Sequence, residues 1–229
     1  GRCPASARAQ EEPLRRRPMA SLHDALCLLG ASVQPLGRPG HLPVTVRRGS
    51  SWKSRLGVDA DISSQFITAL MLIAPYMPNG LEIELPGVVV SRGYLEMTVG
   101  VMRAFGVRVE IAGNVIWIAP GTYQATHYEI EPDASSASYP SAAVAIAGGR
   151  AMIRGLSRAS MQRDVEFFDI LAAMGCEIRQ TAAGIEVTKS TATVLCGVDV
   201  DMSQISDCVP TLAVTALFAN SPTRIRGVG

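Results

Sequence analysis

Three short polar runs could bind an anion or move a proton. They are Ser63-Ser64-Gln65, Asp133-Ala134-Ser135-Ser136-Ala137-Ser138-Tyr139, and the segment ending at Asp207. Each precedes a run of small apolar residues that predicts a helix: Ala69 to Ala74, Ala142 to Ala147, and Leu212 to Leu217. A helix opening presents unpaired N–H groups and a partial positive charge, which attract phosphate or carboxylate. Ser63 and Ser64 add hydroxyls, Gln65 an amide, and Asp207 a carboxylate able to take a proton. Taken singly, each opening also reads as a plain helix cap, because Ser and Asp are favoured there. Three such openings in one repeating chain point to a shared ligand cleft.

The elements that must carry these residues form an internal repeat. One unit is an amphipathic helix, a Gly, then a strand: Leu22 to Val33 with Gly30, Met97 to Val109 with Gly106, and Phe167 to Ile178 with Gly175. A Gly just past a helix end fits a left-handed C′ position. The second and third copies continue into hairpins, turning at Gly113-Asn114 and Ala183-Gly184. The other unit is a polar opening, an apolar helix and a strand, at Ser63 to Glu84, Ser135 to Arg154, and Ser206 to Arg226. Both units recur about every 70 residues, so each repeat reads as βαβαββ. The helices after the polar openings are apolar nearly all round, which predicts full burial.

The bulk properties narrow the function. The chain has 229 residues, 48% hydrophobic and 18% charged, a globular composition with a sizeable core. Lys+Arg 21 against Asp+Glu 20 offers no overall field for nucleic acid or an anionic membrane. The longest apolar stretch, Phe66 to Met77, contains Thr68 and Pro75 and falls well short of the roughly 20 residues of a membrane span. The five cysteines, Cys3, Cys27, Cys176, Cys196 and Cys208, form no CxxC pair. Neither a zinc site nor a disulfide framework is suggested, and a reducing cytosolic setting is the default. Gly1 to Arg17 has no initiating Met and no apolar h-region, and reads as a loose end. Arg224 to Gly227 reads as a strand cut off before its next element.

Several segments together resemble one family. Ser63 to Leu70 looks like the Ser-Ser-Gln-Phe segment of the 5-enolpyruvylshikimate-3-phosphate synthases. Ser91-Arg92-Gly93-Tyr94 resembles their Ser-x-Pro-Tyr segment, and Asp133 to Tyr139 matches their Asp-Ala-Ser-Ser-Ala-Ser-Tyr signature in full. Ser160-Met161-Gln162-Arg163-Asp164 resembles their Ser-x-Gln-Gly-Asp turn. Asp201 to Asp207 resembles the segment ending in their active-site Asp, and Arg17-Pro18-Met19 their Arg-Pro-Met motif. The likeness runs in order from about Leu14 to Gly229.

The resemblance implies an α/β fold of the α+β type: two lobes of βαβαββ units, helices inside and sheets outside, incomplete here. It implies a loose end over residues 1–14, most of a first lobe over 15–131, and about half of a second over 132–229. It implies transfer of the enolpyruvyl group from phosphoenolpyruvate to the 5-hydroxyl of shikimate 3-phosphate, a step of aromatic amino acid (chorismate) biosynthesis. No cofactor or metal is expected; a monomer in the cytoplasm is. Ser63 and Ser64 would hold the substrate phosphate with Ser91 close by. Gln65 would meet the shikimate ring and phosphoenolpyruvate, and Tyr94 would wall the site. Arg17 would pair with phosphoenolpyruvate. Asp207 would bind the shikimate hydroxyls and serve as the acid/base. Two alternatives stand beside this: a related UDP-sugar enolpyruvyl transferase, and a non-catalytic fragment that keeps only the fold.

The sequence also departs from the family pattern. Gly93 stands where Pro is usual and should loosen that turn. Pro132 replaces a Gly before Asp133, and Cys208-Val209-Pro210 replaces a run of small residues. No Lys-Ser motif with a following Arg, no Asn-Ala-Gly-Thr segment, no Lys-Glu-Ser/Thr-Asp-Arg motif and no late His-Arg pair is present. Those motifs carry phosphate-binding charge and a catalytic acid, so the chain alone is expected to show no turnover.

Overall fold

The computed structural model describes residues 12–58, 63–86 and 92–228. They fall into two compact units, one of residues up to 86 with 101–126, the other of residues 92–100 with 127–228.

In the first unit, residues 12–16 form a helical turn with an Arg16–Glu12 ion pair, although this end reads as loose in the sequence. Helix α1 (Ala20–Leu29) is followed by an antiparallel hairpin of β1 (Ser32–Pro35) and β2 (Val44–Arg47). Strand β3 (Arg55–Gly57), helix α2 (Ser64–Ile73), strand β4 (Leu81–Glu84), helix α3 (Arg92–Ala104, of which residues 92–100 belong to the second unit) and strands β5 (Val109–Ala112) and β6 (Val115–Ile118) then follow the βαβαββ order along the chain. The sheet order is β3-β4-β6-β5, with β3 and β4 parallel and the other pairs antiparallel. Alternation places Leu81 and Ile83 of β4 and Ile116 and Ile118 of β6 on the buried face.

The second unit repeats this plan in part. Helix α4 (Ala134–Ala147) leads into β7 (Gly149–Arg154), helix α5 (Phe167–Ala173), β8 (Glu177–Thr181) and β9 (Gly184–Lys189). The order β7-β9-β8, all antiparallel, copies β4-β6-β5. Strands β10 (Asp199–Asp201) and β11 (Arg224–Arg226) pair in parallel on either side of helix α6 (Val209–Ala216) in the chain, as β3 and β4 flank α2. Helix α4 buries Ala134, Ala137, Val144 and Ala145 in one core with Phe167, Phe168, Leu171, Ile185, Val187 and Leu212.

The three helix-end glycines adopt the expected left-handed conformation, with φ of 111° at Gly30, 80° at Gly106 and 110° at Gly175. Each donates its N–H three residues back, and the next residue donates five back: Gly30 to Cys27 and Ala31 to Leu26, Gly106 to Arg103 and Val107 to Met102, Gly175 to Ala172 and Cys176 to Leu171. That is the Schellman termination, three times over.

One expectation fails. The helices after the polar openings are not buried all round. Helix α2 buries Ile67, Leu70 and Met71 but exposes Leu72 and Ile73, and α6 buries Thr211, Leu212 and Thr215 but exposes Val214. Leu217 and Phe218, just beyond α6, are exposed too. Each helix finds partners on one face only among the described elements of its unit.

Candidate functional site

Among the described residues, few groups satisfy the opening of α2. Ser63 is its N-cap, and its Oγ accepts from the Gln65 N–H at 3.3 Å, a long bond. Ser63 and Gln65 are exposed and Ser64 half-buried. Among the described residues, the Ser64 hydroxyl and the Gln65 side-chain amide make no hydrogen bond to protein. These groups stand at the positive end of a ten-residue helix, where the partial charge favours an anion. Arg17, also exposed, follows the helical turn, and its N–H donates to the Leu14 carbonyl at 3.2 Å. No hydrogen bond or ion pair joins Arg17 to Ser63, Ser64 or Gln65 among the described residues. Ser91 lies outside the described residues.

The opening of α4 is closed by its own protein. Asp133 accepts from the Ser136 N–H at 3.1 Å and the Ser136 hydroxyl at 2.6 Å. These bonds hold its carboxyl below the usual carboxylate range, the hydroxyl first and the N–H second. Gln162 fills the remaining space. Its Oε1 accepts from the Ala134 N–H at 2.8 Å while its Nε2 donates to the Pro132 carbonyl at 2.8 Å and to Glu131 at 3.1 Å. Deeper in the helix, the Ser138 hydroxyl meets the Ser135 carbonyl at 2.6 Å and the Thr211 hydroxyl at 3.0 Å. The Asp133 to Tyr139 signature thus acts here as a cap and a helix contact.

The opening of α6 gathers a polar cluster. Asp207 lies in the 3₁₀ turn Ser206–Cys208 and is exposed, whereas Cys208 is fully buried. Pro210 sits in the first turn of α6, where its missing N–H costs little. Asp164, 2% exposed, accepts from the Tyr94 hydroxyl at 3.4 and 3.5 Å on its two oxygens. It also accepts from the Cys208 thiol at 3.4 Å. Burial, then the charges of Asp164 and Asp207, push Tyr94 above the ordinary phenol range. Burial pushes Asp164 up as well, against the Cys208 and Tyr94 hydrogen bonds, with Asp207 adding to the rise. Cys208 is likewise raised, by burial first and Asp164 second.

The structure therefore brings Tyr94 and Asp207 together, and adds two residues to which the sequence assigns no role, Asp164 and Gln162. Both lie in the Ser160 to Asp164 run, whose resemblance was the only available signal. That run also explains Gly93. A Cβ at Gly93 would come within 2.5 Å of Arg163 Cγ. Gly93 is buried in the first turn of α3, close against the Arg163 side chain, rather than in a loosened loop. The lack of a side chain at Gly93 thus leaves the room that Arg163 occupies.

An open hollow of about 400 Å³ beside Glu96, Arg158, Gln162, Arg163, Glu166 and Asp169 is a poorer site. Its cations are already engaged, Arg158 with Asp169 and Arg163 with Glu166.

The backbone defines the class of protein. It is similar to an EPSP synthase from Acinetobacter baumannii, with a TM-score of 0.69 and 23% identity over 93% of this chain and 49% of that one. It is also similar to the enolpyruvyl transferase NikO from Streptomyces tendae, with a TM-score of 0.66 and 20% identity over 93% of this chain and 52% of that one. The fold is that of the enolpyruvyl transferases. The family model for EPSP synthase (3-phosphoshikimate 1-carboxyvinyltransferase) matches residues 11–229, and the chain belongs to that family. It is 39% identical over 226 residues to the 3-phosphoshikimate 1-carboxyvinyltransferase of Histophilus somni (strain 2336), covering 95% of this chain and 50% of the relative. It is 41% identical over 217 residues to that of Nostoc punctiforme, covering 94% and 50%. The chain spans about half the length of the curated relatives it matches. Among the described residues, no helix is long and apolar enough to cross a membrane.

Proposed function

We propose that this chain carries part of the site for enolpyruvyl transfer from phosphoenolpyruvate to the 5-hydroxyl of shikimate 3-phosphate. Family membership supports the reaction, and the open mouth of α2 is the observation that carries the site. Ser63 and Ser64 bind the substrate phosphate, aided by Ser91 and by the N-terminal partial charge of the helix. Gln65 hydrogen-bonds the shikimate ring and reaches phosphoenolpyruvate, whose carboxylate pairs with Arg17. Tyr94 walls the site, and Asp207 takes the proton of the attacking 5-hydroxyl. The hydroxyl oxygen bonds to the phosphate-bearing carbon of phosphoenolpyruvate while the adjacent methylene carbon takes up a proton, giving a tetrahedral intermediate with a methyl group. Loss of phosphate from that carbon and of a proton from the methyl group then gives the enol ether.

Two lobes divided near Glu131, a monomeric state and a cytoplasmic location belong to the same proposal. The motifs absent from this sequence would supply further phosphate-binding charge, so the 229-residue chain is expected to bind shikimate 3-phosphate without turnover. Calorimetric titration of the chain with shikimate 3-phosphate tests the site. Saturable binding that Ser63→Ala/Ser64→Ala weakens supports it. A folded chain that shows no preference for shikimate 3-phosphate over inorganic phosphate sinks it. Phosphate release well above the no-enzyme rate would refute the expectation of no turnover.

A further inference from the structure

Asp164 is an unusual residue to keep in a core. The residue is 2% exposed, and no Lys or Arg forms an ion pair with its carboxylate among the described residues. The adjacent cation, Arg163, turns to Glu166 at 2.8 Å and Glu96 at 3.8 Å. Among the described residues, the side chains that donate to Asp164 are both neutral, the Tyr94 hydroxyl and the Cys208 thiol. A buried carboxylate held only by neutral donors is a costly choice for stability, and an isosteric neutral group would serve packing as well. Its two partners, however, come from separate stretches of chain. Tyr94 lies in the first turn of α3, and Cys208 directly follows Asp207 in the turn that opens α6. One carboxylate thus joins Tyr94 to the immediate neighbour of Asp207 in the chain.

We propose that Asp164 is a positioning residue, which through the Tyr94 hydroxyl and the Cys208 thiol sets the placement of Tyr94 and Asp207. The chemical use of that placement rests on the reaction proposed above; the placement itself does not. Cys208 is part of the device, since its S–H supplies the donor that anchors the turn carrying Asp207. A small aliphatic residue at 208 would lack this donor.

The test needs no substrate. In the 229-residue chain labelled with ¹³C at Tyr Cζ and Asp Cγ, the Tyr94 and Asp207 signals are assigned with Tyr94→Phe and Asp207→Asn. Asp164→Asn should move both signals while the denaturation midpoint holds or rises. Cys208→Ala should move the Asp207 signal, and Cys208→Ser, which restores a donor, should return it toward its original position. The proposal is overturned if Asp164→Asn lowers the midpoint and leaves both signals in place, the mark of a residue kept for packing alone. Should Asp164→Asn fail to fold, the Cys208 pair decides: an Asp207 signal that is the same in Cys208→Ala and Cys208→Ser overturns it. Failure of shikimate 3-phosphate to bind the unsubstituted chain would sink the substrate site proposed above and leave these signals, and their meaning, untouched.

Discussion

The openings of α2 and α4 are built from similar residues and end in opposite conditions. Both begin with a capping oxygen and a pair of serines, Ser63-Ser64 in one case and Ser135-Ser136 behind Asp133 in the other. At α4 the capping oxygen is a carboxylate, and Gln162 arrives from a distant turn to take the Ala134 N–H. At α2 the cap is one long hydroxyl bond, and the Ser64 and Gln65 side chains have no protein partner among the described residues. A Ser-rich helix start is therefore neutral evidence for a ligand. The deciding feature is whether the rest of the protein has already filled it.

The largest expected difference between the two mouths is in affinity. Removing two hydroxyls from a charged phosphate at about 1.5 kcal/mol or more each predicts that Ser63→Ala/Ser64→Ala weakens shikimate 3-phosphate binding on the order of a hundredfold. Asp133→Ala should leave that affinity unchanged; calorimetry giving equal losses for both would erase the distinction. Gln162→Ala comes next. It strands the N–H of Ala134, itself 1% exposed, and should cost about 1–3 kcal/mol in urea denaturation. A smaller loss of about 1 kcal/mol is expected for Asp133→Ala, the usual worth of a carboxylate cap.

That cap should also respond to acid, with a defined sign. Because the folded-state value of Asp133 lies below its ordinary one, its stabilisation is complete above the unfolded value of about 3.9. It is lost as pH falls through the lower folded value. The protection factors of the first-turn amides of α4, corrected for intrinsic exchange, should fall on acidification, and in Asp133→Asn that acid response should vanish. The smallest effect belongs to Ser63→Ala, about 0.5 kcal/mol at most given the long bond. A loss as large as that of Asp133→Ala would mean that the α2 mouth is structural after all.

Much of this was legible in sequence because it is local. The glycines at 30, 106 and 175 could be placed at helix ends from the change of period around them. Their Schellman geometry follows from a left-handed residue that only Gly adopts cheaply. The order β-α-β-α-β-β and the hairpin turns were readable for the same reason. The apolar helices misled, because an apolar surface states a preference for burial without naming the element that provides it. Val214 and Leu72 remain exposed within their own units.

The repeat, the helix ends, the family resemblance and the residue types at each helix mouth are properties of the amino-acid order, since they depend on neighbours in the chain. Tertiary structure alone decided which mouth is closed, through Gln162 reaching Ala134 from 28 residues away. It alone set the Arg163 side chain in the room left at Gly93, and it alone set Asp164 between Tyr94 and Cys208, 70 residues from one and 44 from the other. Such contacts depend on how separate elements pack, and a hydrogen bond or a 2.5 Å overlap turns on shifts of less than an ångström that no local pattern encodes.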